Sequence, residues 1–363
     1  MKSDSARIYQ AGSVTTDHLV GQTIAVIGYG NQGRAQALNM RDSGLQVVIG
    51  NQDDRYRQRA IDDGFAVFSV SEAVPLAQVI LLLVPDEVLP GVFEGSIRPN
   101  LNPDSVLVFA SGYNVAYDLI SLPEDSDVLL IAPRMIGVGV RERYLTKEGF
   151  FCFIGIEQDR SGDARPILLE LIQAISGFHM PAIEVTFKQE AILDLFNEQA
   201  FGPAFGRVLL NSIQVLLDNG LPPEAVLVEM YMSEEMAYTY RKMAQVGLVR
   251  QTLFHSQTSQ YGAMSRGVHF IGSGLKEKME RIYREIESGA FTRERNSPLS
   301  RLKFQAIRFF AMRQRINAIE KQVRKRLGMP EFNDSLAQEN IDGILADPRL
   351  KEELAGFEDS FDF

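Results

Sequence analysis

Residues 23–40 constrain this chain more than any other stretch. A β-branched run from Thr23 to Ile27 ends in Gly28-Tyr29-Gly30-Asn31-Gln32-Gly33, a helical pattern follows at once, and a second apolar run at residues 46–49 closes a strand–helix–strand unit. Each glycine has a physical task. Gly28 permits the tight turn, Gly30 lets backbone N–H groups approach a pyrophosphate, and Gly33 lets helix and strand pack closely. The helix N-terminus beginning at Asn31 then turns its partial positive charge toward the phosphates. This predicts a dinucleotide site built from Gly28, Tyr29, Gly30, Asn31, Gln32 and Gly33.

The chain has 363 residues, enough for two domains. Strand and helix signals alternate up to about residue 186. Continuous apolar runs at 78–84, 105–110, 128–132 and 150–156 have the character of strands buried on both faces. The expected fold is an α/β Rossmann-like domain, a doubly wound parallel sheet, over residues 1–186, with ligands beyond the strand carboxyl ends. Helical patterns dominate 187–330, which predicts an all-α domain. Residues 331–363 hold ten Asp or Glu against two Lys or Arg and form an acidic extension.

Composition excludes several classes. No apolar run reaches the length of a membrane span, and no secretory signal follows the polar N-terminus. The single cysteine, Cys152, fits a reducing cytoplasm and reads as a buried strand residue. The basic stretch 301–326 is the one candidate for nucleic acid. Its apolar residues Phe309, Met312, Ile316, Ile319, Val323 and Leu327 recur at helical spacing, so it reads as a packed helix with a solvated basic face. The expectation is a cytoplasmic protein with no nucleic-acid or membrane partner.

A second informative stretch is Thr186-Phe187-Lys188-Gln189-Glu190-Ala191-Ile192-Leu193-Asp194-Leu195-Phe196-Asn197-Glu198-Gln199. Asp194 and Glu198 lie four apart on one helix face. Two oxygens aimed alike suit a hard cation such as Mg²⁺, although acids at this spacing are also common on solvated helices.

Several further motifs occur in order: Leu83-Val84-Pro85-Asp86-Glu87, Ser111-Gly112-Tyr113-Asn114, Ala132-Pro133-Arg134, Ser256-Gln257-Thr258-Ser259-Gln260-Tyr261-Gly262 and Glu287-Ser288-Gly289-Ala290-Phe291. With the glycine loop and the 186–199 segment, they resemble the short form of the ketol-acid reductoisomerase family over residues 1–330. The resemblance implies a knotted helical domain and a homodimer with shared active sites. It also implies NADPH or NADH, Mg²⁺, and a small acetohydroxy-acid substrate whose alkyl group migrates before the ketone is reduced. It places cofactor contacts at Val84, Pro85, Ser111 and Gly112, a metal pair at Asp194 and Glu198, and a substrate-carboxylate serine at Ser256.

Three positions depart from the family pattern. Ser111 stands where the family has histidine, and Arg134 where it has lysine. The later helix, Glu229-Met230-Tyr231-Met232-Ser233-Glu234-Glu235, cannot align two glutamates four apart on the family's second metal pair: Glu229 leaves Ser233, and Glu235 leaves Tyr231. Alkyl migration needs a two-metal clamp and a proton acceptor, whereas hydride transfer needs chiefly a positioned nicotinamide. Three readings follow. One is a reductase of a C=N or C=O on this scaffold with isomerisation weakened or lost. The others are an authentic Mg²⁺-dependent ketol-acid reductoisomerase acting on 2-acetolactate, and a non-catalytic nucleotide binder. Mg²⁺ at the single site of Asp194 and Glu198 is compatible with the first reading. His255, next to Ser256, is the best-placed histidine for a proton donor, and Tyr231 a second candidate, though packing roles are commoner for both. After the second strand, Gln52 and Asp54 favour NADH, because a carboxylate repels a 2′-phosphate and bonds ribose hydroxyls; Arg55 or Arg57 would reverse that preference by pairing with the phosphate.

Overall fold

The computed structural model describes residues 5–329. The acidic extension therefore lies outside the described residues. The chain divides into two compact units between Asp194 and Leu195.

The first unit is built on one nine-stranded sheet. Its strands are β1 (Ile8–Tyr9), β2 (Thr23–Ile27), β3 (Gln46–Gly50), β4 (Ala66–Phe68), β5 (Val79–Leu82), β6 (Val106–Phe109), β7 (Asp127–Pro133), β8 (Cys152–Gln158) and β9 (Ala182–Glu184). Their order is β1-β9-β8-β7-β6-β5-β2-β3-β4. From β4 to β7 neighbours run parallel, with Ile24 to Ile27 of β2 registered against Val79 to Leu82 of β5. The chain winds outward from β2 in both directions, so the switch point lies between β2 and β5. A ligand crevice is expected there. Central-strand residues such as Ile24, Val26, Ile80 and Leu107 are fully buried, as strands covered on both faces require.

Beyond β7 the sheet departs from the all-parallel expectation. β8 runs antiparallel to β7, with a bulge at Val128/Leu129, and β1 runs antiparallel to β9. The connection from β7 to β8 is short, holding one helix, Gly137–Leu145, and the chain returns directly beside β7. Such antiparallel edges on parallel sheets are common. β1, β4 and β9 are two or three residues long, too short to show alternation in the sequence. Cys152 is buried in β8, as expected.

The glycine loop follows the predicted physics. Gly28 has φ +95°, and a Cβ on Gly33 would stand 2.0 Å from the Gly28 carbonyl oxygen. That distance is far inside contact, so α1 (Asn31–Asp42) packs on β2 only with glycine there. A Cβ on Gly30 would meet nothing within 4 Å, so its backbone faces open space.

In the second unit a core forms around Ile213, Val226, Leu227 and Val323, joined by Leu209, Leu216, Ile316 and Ile319. The single helix expected over 301–326 is instead two, Ser300–Met312 and Arg315–Arg326; Ile316, Ile319 and Val323 pack in this core, Phe309 packs in a separate cluster, and Met312 and Leu327 are exposed. Many large apolar side chains stay exposed in this unit, among them Leu248, Val249, Leu253, Phe270, Ile271 and Leu299. One helix exceeds the sequence expectation. Phe187–Asp218 runs 32 residues and is long and apolar enough, by length and composition, to cross a membrane. Runs counted residue by residue missed it because Lys188, Glu190, Asp194 and Glu198 interrupt its first half. A single such helix is weak support for a membrane role.

Gly33→Ala is expected to cost about 1–3 kcal/mol, the usual range for overpacking, and to weaken nucleotide binding. Thermal melts with and without NADPH measure both. An unchanged melting temperature and affinity would contradict the packing assigned to Gly33.

Candidate active site

The crevice at the switch point is a cavity of about 600 Å³ in the first unit. Four strand ends line it. Gly28, Tyr29, Gly30, Asn31 and Gln32 follow β2; Asn51, Gln52 and Asp54 follow β3; Val84, Pro85 and Asp86 follow β5; Ala110 and Ser111 follow β6. Most of the predicted cofactor residues therefore meet in one place. Gly33, Arg55 and Gly112 lie off the lining and act from behind it or beside it.

Side-chain hydrogen bonds fix the loop. Asn51 Oδ1 accepts from the Tyr29 amide at 3.1 Å, and Gln32 Nε2 donates to the Met135 carbonyl at 2.9 Å. The Tyr29 phenol reaches Asp63 at 2.9 Å, and Arg34 pairs with the same carboxylate at 2.6 Å. At one end of the cavity Asp54 caps α2 (Arg55–Asp62), accepting from the Tyr56 and Arg57 amides. Burial alone would raise the Asp54 pKa, yet donors from Gln52, Arg57, Tyr56 and Asn51 together hold it below its ordinary value. Asp54 is thus a fixed negative charge at the end of the crevice. Arg57 donates to the Asn51 carbonyl at 3.2 Å, while Arg55 lies over the Tyr56 ring, 4.7 Å from its centroid.

The opposite end, after β6, is acidic. β5 and β2 separate β3 from β6, which at the usual strand spacing sets the two ends roughly 14 Å apart. Ser111 Oγ stands 3.2 Å from Asp86 Oδ2 and accepts from the Tyr113 amide at 3.2 Å. Asn114, fully buried, donates to both the Asp86 carbonyl and Oδ1. Burial pushes the Asp86 carboxyl up to about 6, with the charges of Glu87 and Asp194 adding to the rise.

Beside this pair the helix Phe187–Phe196 closes on the β6 turn. Glu190 Oε2 accepts from the Gly112 amide at 2.7 Å, and a Cβ on Gly112 would stand 2.2 Å from the Phe187 carbonyl oxygen. Arg134, at the end of β7, forks between two carboxylates: Glu190 at 3.1 Å and Asp194 at 2.5 Å. Its guanidinium also lies 5.0 Å from the Phe153 ring centroid. Burial pushes Glu190 up to about 7, against the opposing pull of the Gly112 amide and Arg134. Asp86, Asn114 and Glu190 were missed by sequence reasoning. Glu190 precedes Asp194 by the same four-residue step that marked Glu198, so the signal was present.

The remaining predicted residues belong to the second unit. Ser256 caps the helix Gln257–Gly267, its Oγ accepting from the Ser259 amide. His255 Nε2 lies 3.3 Å from Gln251 Oε1. Glu198 sits in the π-turn Asn197–Phe201. Glu229 is exposed in the π-turn Val228–Met232. Glu234 is left-handed, φ 61°, and Glu235 starts a new helix. Glu229 and Glu235 therefore do not share one helix face. Tyr231 donates to Glu320 in the unit's own packing. Burial and that carboxylate push its phenol upward, which makes it a poor proton donor.

The residues fit the two expected groups unequally. A nucleotide fits: open backbone at Gly30, a helix N-terminus, and polar groups at both ends of the crevice. A two-Mg²⁺ clamp does not. Asp194 is already paired with a guanidinium, and the second acidic pair is broken by the turn at Glu234.

A Gly-loop crevice at the switch point of a parallel sheet defines a dinucleotide-binding protein. Residues 18–180 match the acetohydroxy acid isomeroreductase NADPH-binding domain, and residues 187–329 match the ketol-acid reductoisomerase C-terminal domain. A Saccharolobus solfataricus protein provisionally named ketol-acid reductoisomerase 3 is 41% identical, over 76% of this chain and 84% of that protein. The ketol-acid reductoisomerase (NADP(+)) of Pyrobaculum calidifontis is 38% identical, over 80% and 88%. The structure of an NADH-preferring ketol-acid reductoisomerase from an uncultured archaeon superposes with a TM-score of 0.82 at 32% identity, covering 88% of this chain and 98% of that one. The chain belongs to the ketol-acid reductoisomerase family. It is an NAD(P)H-dependent oxidoreductase.

Glu190 gives a pH test. Its folded value of about 7 exceeds the 4.5 of a free glutamate. Between those values the folded form holds a proton that the unfolded chain has lost. The stability this contributes is complete below about 4.5 and is lost as pH rises through about 7. Glu190→Gln is expected to flatten that decline, leaving only the part due to Asp86. Urea denaturation of both proteins at about pH 5 and pH 8 measures it. An equal decline in the variant would place the proton elsewhere.

Proposed function

We propose that this protein is an NAD(P)H-dependent reductase on the ketol-acid reductoisomerase scaffold, reducing the C=N or C=O of a small substrate with alkyl migration lost or weakened. One observation carries the reading: the guanidinium of Arg134 occupies Asp194 at 2.5 Å, where the family pattern implies a metal. A carboxylate already neutralised by a fixed cation gains little from a second one. Ser111 in place of histidine removes a general base, a change worth about 10²–10⁴-fold in rate.

Reduced nicotinamide supplies the hydride when bound. The chain's own groups hold the nucleotide: the Gly30 and Asn31 backbone at the pyrophosphate, Asp54 with Gln52 at the adenosine ribose, Val84 and Pro85 along the middle. The fixed charge of Asp54 favours NADH. The carboxylates at the β6 end favour a protonated imine, which accepts hydride without a Lewis acid. Ser256 receives a substrate carboxylate, as the resemblance implies, and Glu198, Glu229 and His255 contribute polar groups.

Residues 1–186 would bind nucleotide and 187–330 would bind substrate and a second copy. The exposed apolar side chains of the second unit support a homodimer with shared sites, since monomers seldom leave so many uncovered. The cytoplasm is the proposed compartment, on the strength of a single buried free cysteine.

The second reading, an authentic Mg²⁺-dependent ketol-acid reductoisomerase, is favoured by the names of relatives at 37–41% identity. One assay separates the two. Nucleotide oxidation is followed with a cyclic imino acid, with pyruvate and with 2-acetolactate, each with Mg²⁺ and with EDTA. Reduction of the imine or of pyruvate that survives EDTA, with little turnover of 2-acetolactate, is expected. Brisk Mg²⁺-dependent conversion of 2-acetolactate to 2,3-dihydroxyisovalerate would overturn the proposal.

A further inference from the structure

We infer that Ser111 and Asp86 form a two-residue proton relay that opens onto the cofactor cavity and replaces the missing histidine as proton source for the reduction. This rests on the reductase reading and names the group that reading leaves unassigned.

The geometry is specific. Both residues line the cavity at the end opposite Asp54. Ser111 Oγ has two neighbours in hydrogen-bond reach: the Tyr113 amide at 3.2 Å, which can only donate, and Asp86 Oδ2 at 3.2 Å. The protonation state of Asp86 decides what the hydroxyl does next. An ionised Asp86 can only accept, so the serine hydrogen turns toward it and nothing is offered to the cavity. A protonated Asp86 donates to Ser111 Oγ. The serine oxygen then receives two hydrogens from behind, and its own hydrogen is left to point at a ligand. The buried Asn114 amide, donating to the Asp86 carbonyl at 3.1 Å and Oδ1 at 3.0 Å, holds the carboxyl in register and leaves Oδ2 for the serine.

The surroundings raise the protonated fraction of Asp86, which is large at and below about pH 6. Asp86 is largely removed from water and faces the charges of Glu87 on its own turn and of Asp194 on the helix Phe187–Phe196, with Ser111 and Asn114 opposing; its carboxyl is pushed up to about 6. Glu190 on the same helix feels Asp86 in return. Arg134 is directed at Glu190 and Asp194, so no cation pairs with Asp86 among the described residues.

The step balances. The substrate carbon gains the hydride, and the C=N or C=O π pair moves to nitrogen or oxygen. Ser111 passes its hydroxyl proton to that atom, and Asp86 passes its carboxyl proton to Ser111 Oγ. Asp86 is left ionised and regains a proton from water after product leaves. A substrate already protonated at nitrogen takes up hydride without the relay, so the relay serves a carbonyl or a neutral imine.

Asp86→Asn and Ser111→Ala test the relay in the full-length enzyme. Asparagine keeps the donor toward Ser111 but has no proton to give. In wild type, kcat/KM for pyruvate, whose oxygen must gain a proton, should fall as pH rises through about 6. Asp86→Asn should remove that limb and lower kcat/KM by about 10²–10⁴-fold, the range for a lost general acid. Ser111→Ala should lower it comparably. Infrared difference spectra between about pH 5 and pH 8 provide a readout independent of turnover. A protonated-carboxyl band should disappear in Asp86→Asn and shift in Ser111→Ala. A wild-type pH profile and rate in Asp86→Asn, or no band lost in that variant, would overturn the relay. If wild type reduces none of the probes, the reductase reading falls separately. The infrared arm then decides alone: the Asp86-dependent band supports the proton pair, and its absence overturns it.

Discussion

The candidate site depends on one ion pair. Arg134 leaves the end of β7 and divides its guanidinium between Glu190 and Asp194, four residues apart on one helix. Glu190 is almost wholly buried, and a buried carboxylate without a partner costs several kcal/mol. The guanidinium and the Gly112 amide offset part of that cost, leaving the carboxyl raised to about 7, and they seat the helix on the β6 turn that presents Ser111. Lysine at the same position would offer a compact charge on a flexible stem and could not fork in this way. The arginine therefore does two things together: it secures the helix and takes up a carboxylate that a metal would otherwise use.

From that pairing the chemistry separates into what is kept and what is altered. The crevice is lined from the open backbone at Gly30 to Asp54, the N-cap of the helix Arg55–Asp62. The acidic apparatus is rearranged. Asp194 is neutralised, the Glu229–Glu235 segment is bent by a left-handed residue at Glu234, and serine replaces an imidazole. Asp86 and Ser111 lie within 3.2 Å of each other at the same end of the crevice. Each change alone would be compatible with either activity. Together they are the ground for the reductase proposal.

Much of this was legible in the sequence, for reasons that can be named. The glycines announced themselves because no other residue fits: a side chain at Gly33 collides with the backbone at 2.0 Å. The central strands were visible because burial on both faces demands unbroken apolar runs. The antiparallel turn at β8 was not, because direction is set by how the chain returns rather than by which residues line it. β1 and β9 carry too few residues to show a pattern. Asp86 belongs to the Leu83–Glu87 motif, but its partner Ser111 lies 25 residues away. Its burial and its partner exist only after folding. Tyr231 and His255, attractive as donors by residue type, prove to be engaged in local packing and hydrogen bonding. The long helix Phe187–Asp218 escaped notice because its charges, clustered in the first half, masked its apolar remainder.

Divalent-ion binding tests the central claim most directly. Mn²⁺ added to the nucleotide-free protein can be followed by electron paramagnetic resonance, with the Arg134→Lys variant alongside. If Arg134 has taken the place of a cation at Asp194, wild type should leave Mn²⁺ free at concentrations that saturate an ordinary two-metal site. Two tightly bound, magnetically coupled Mn²⁺ ions per subunit in wild type would contradict the account.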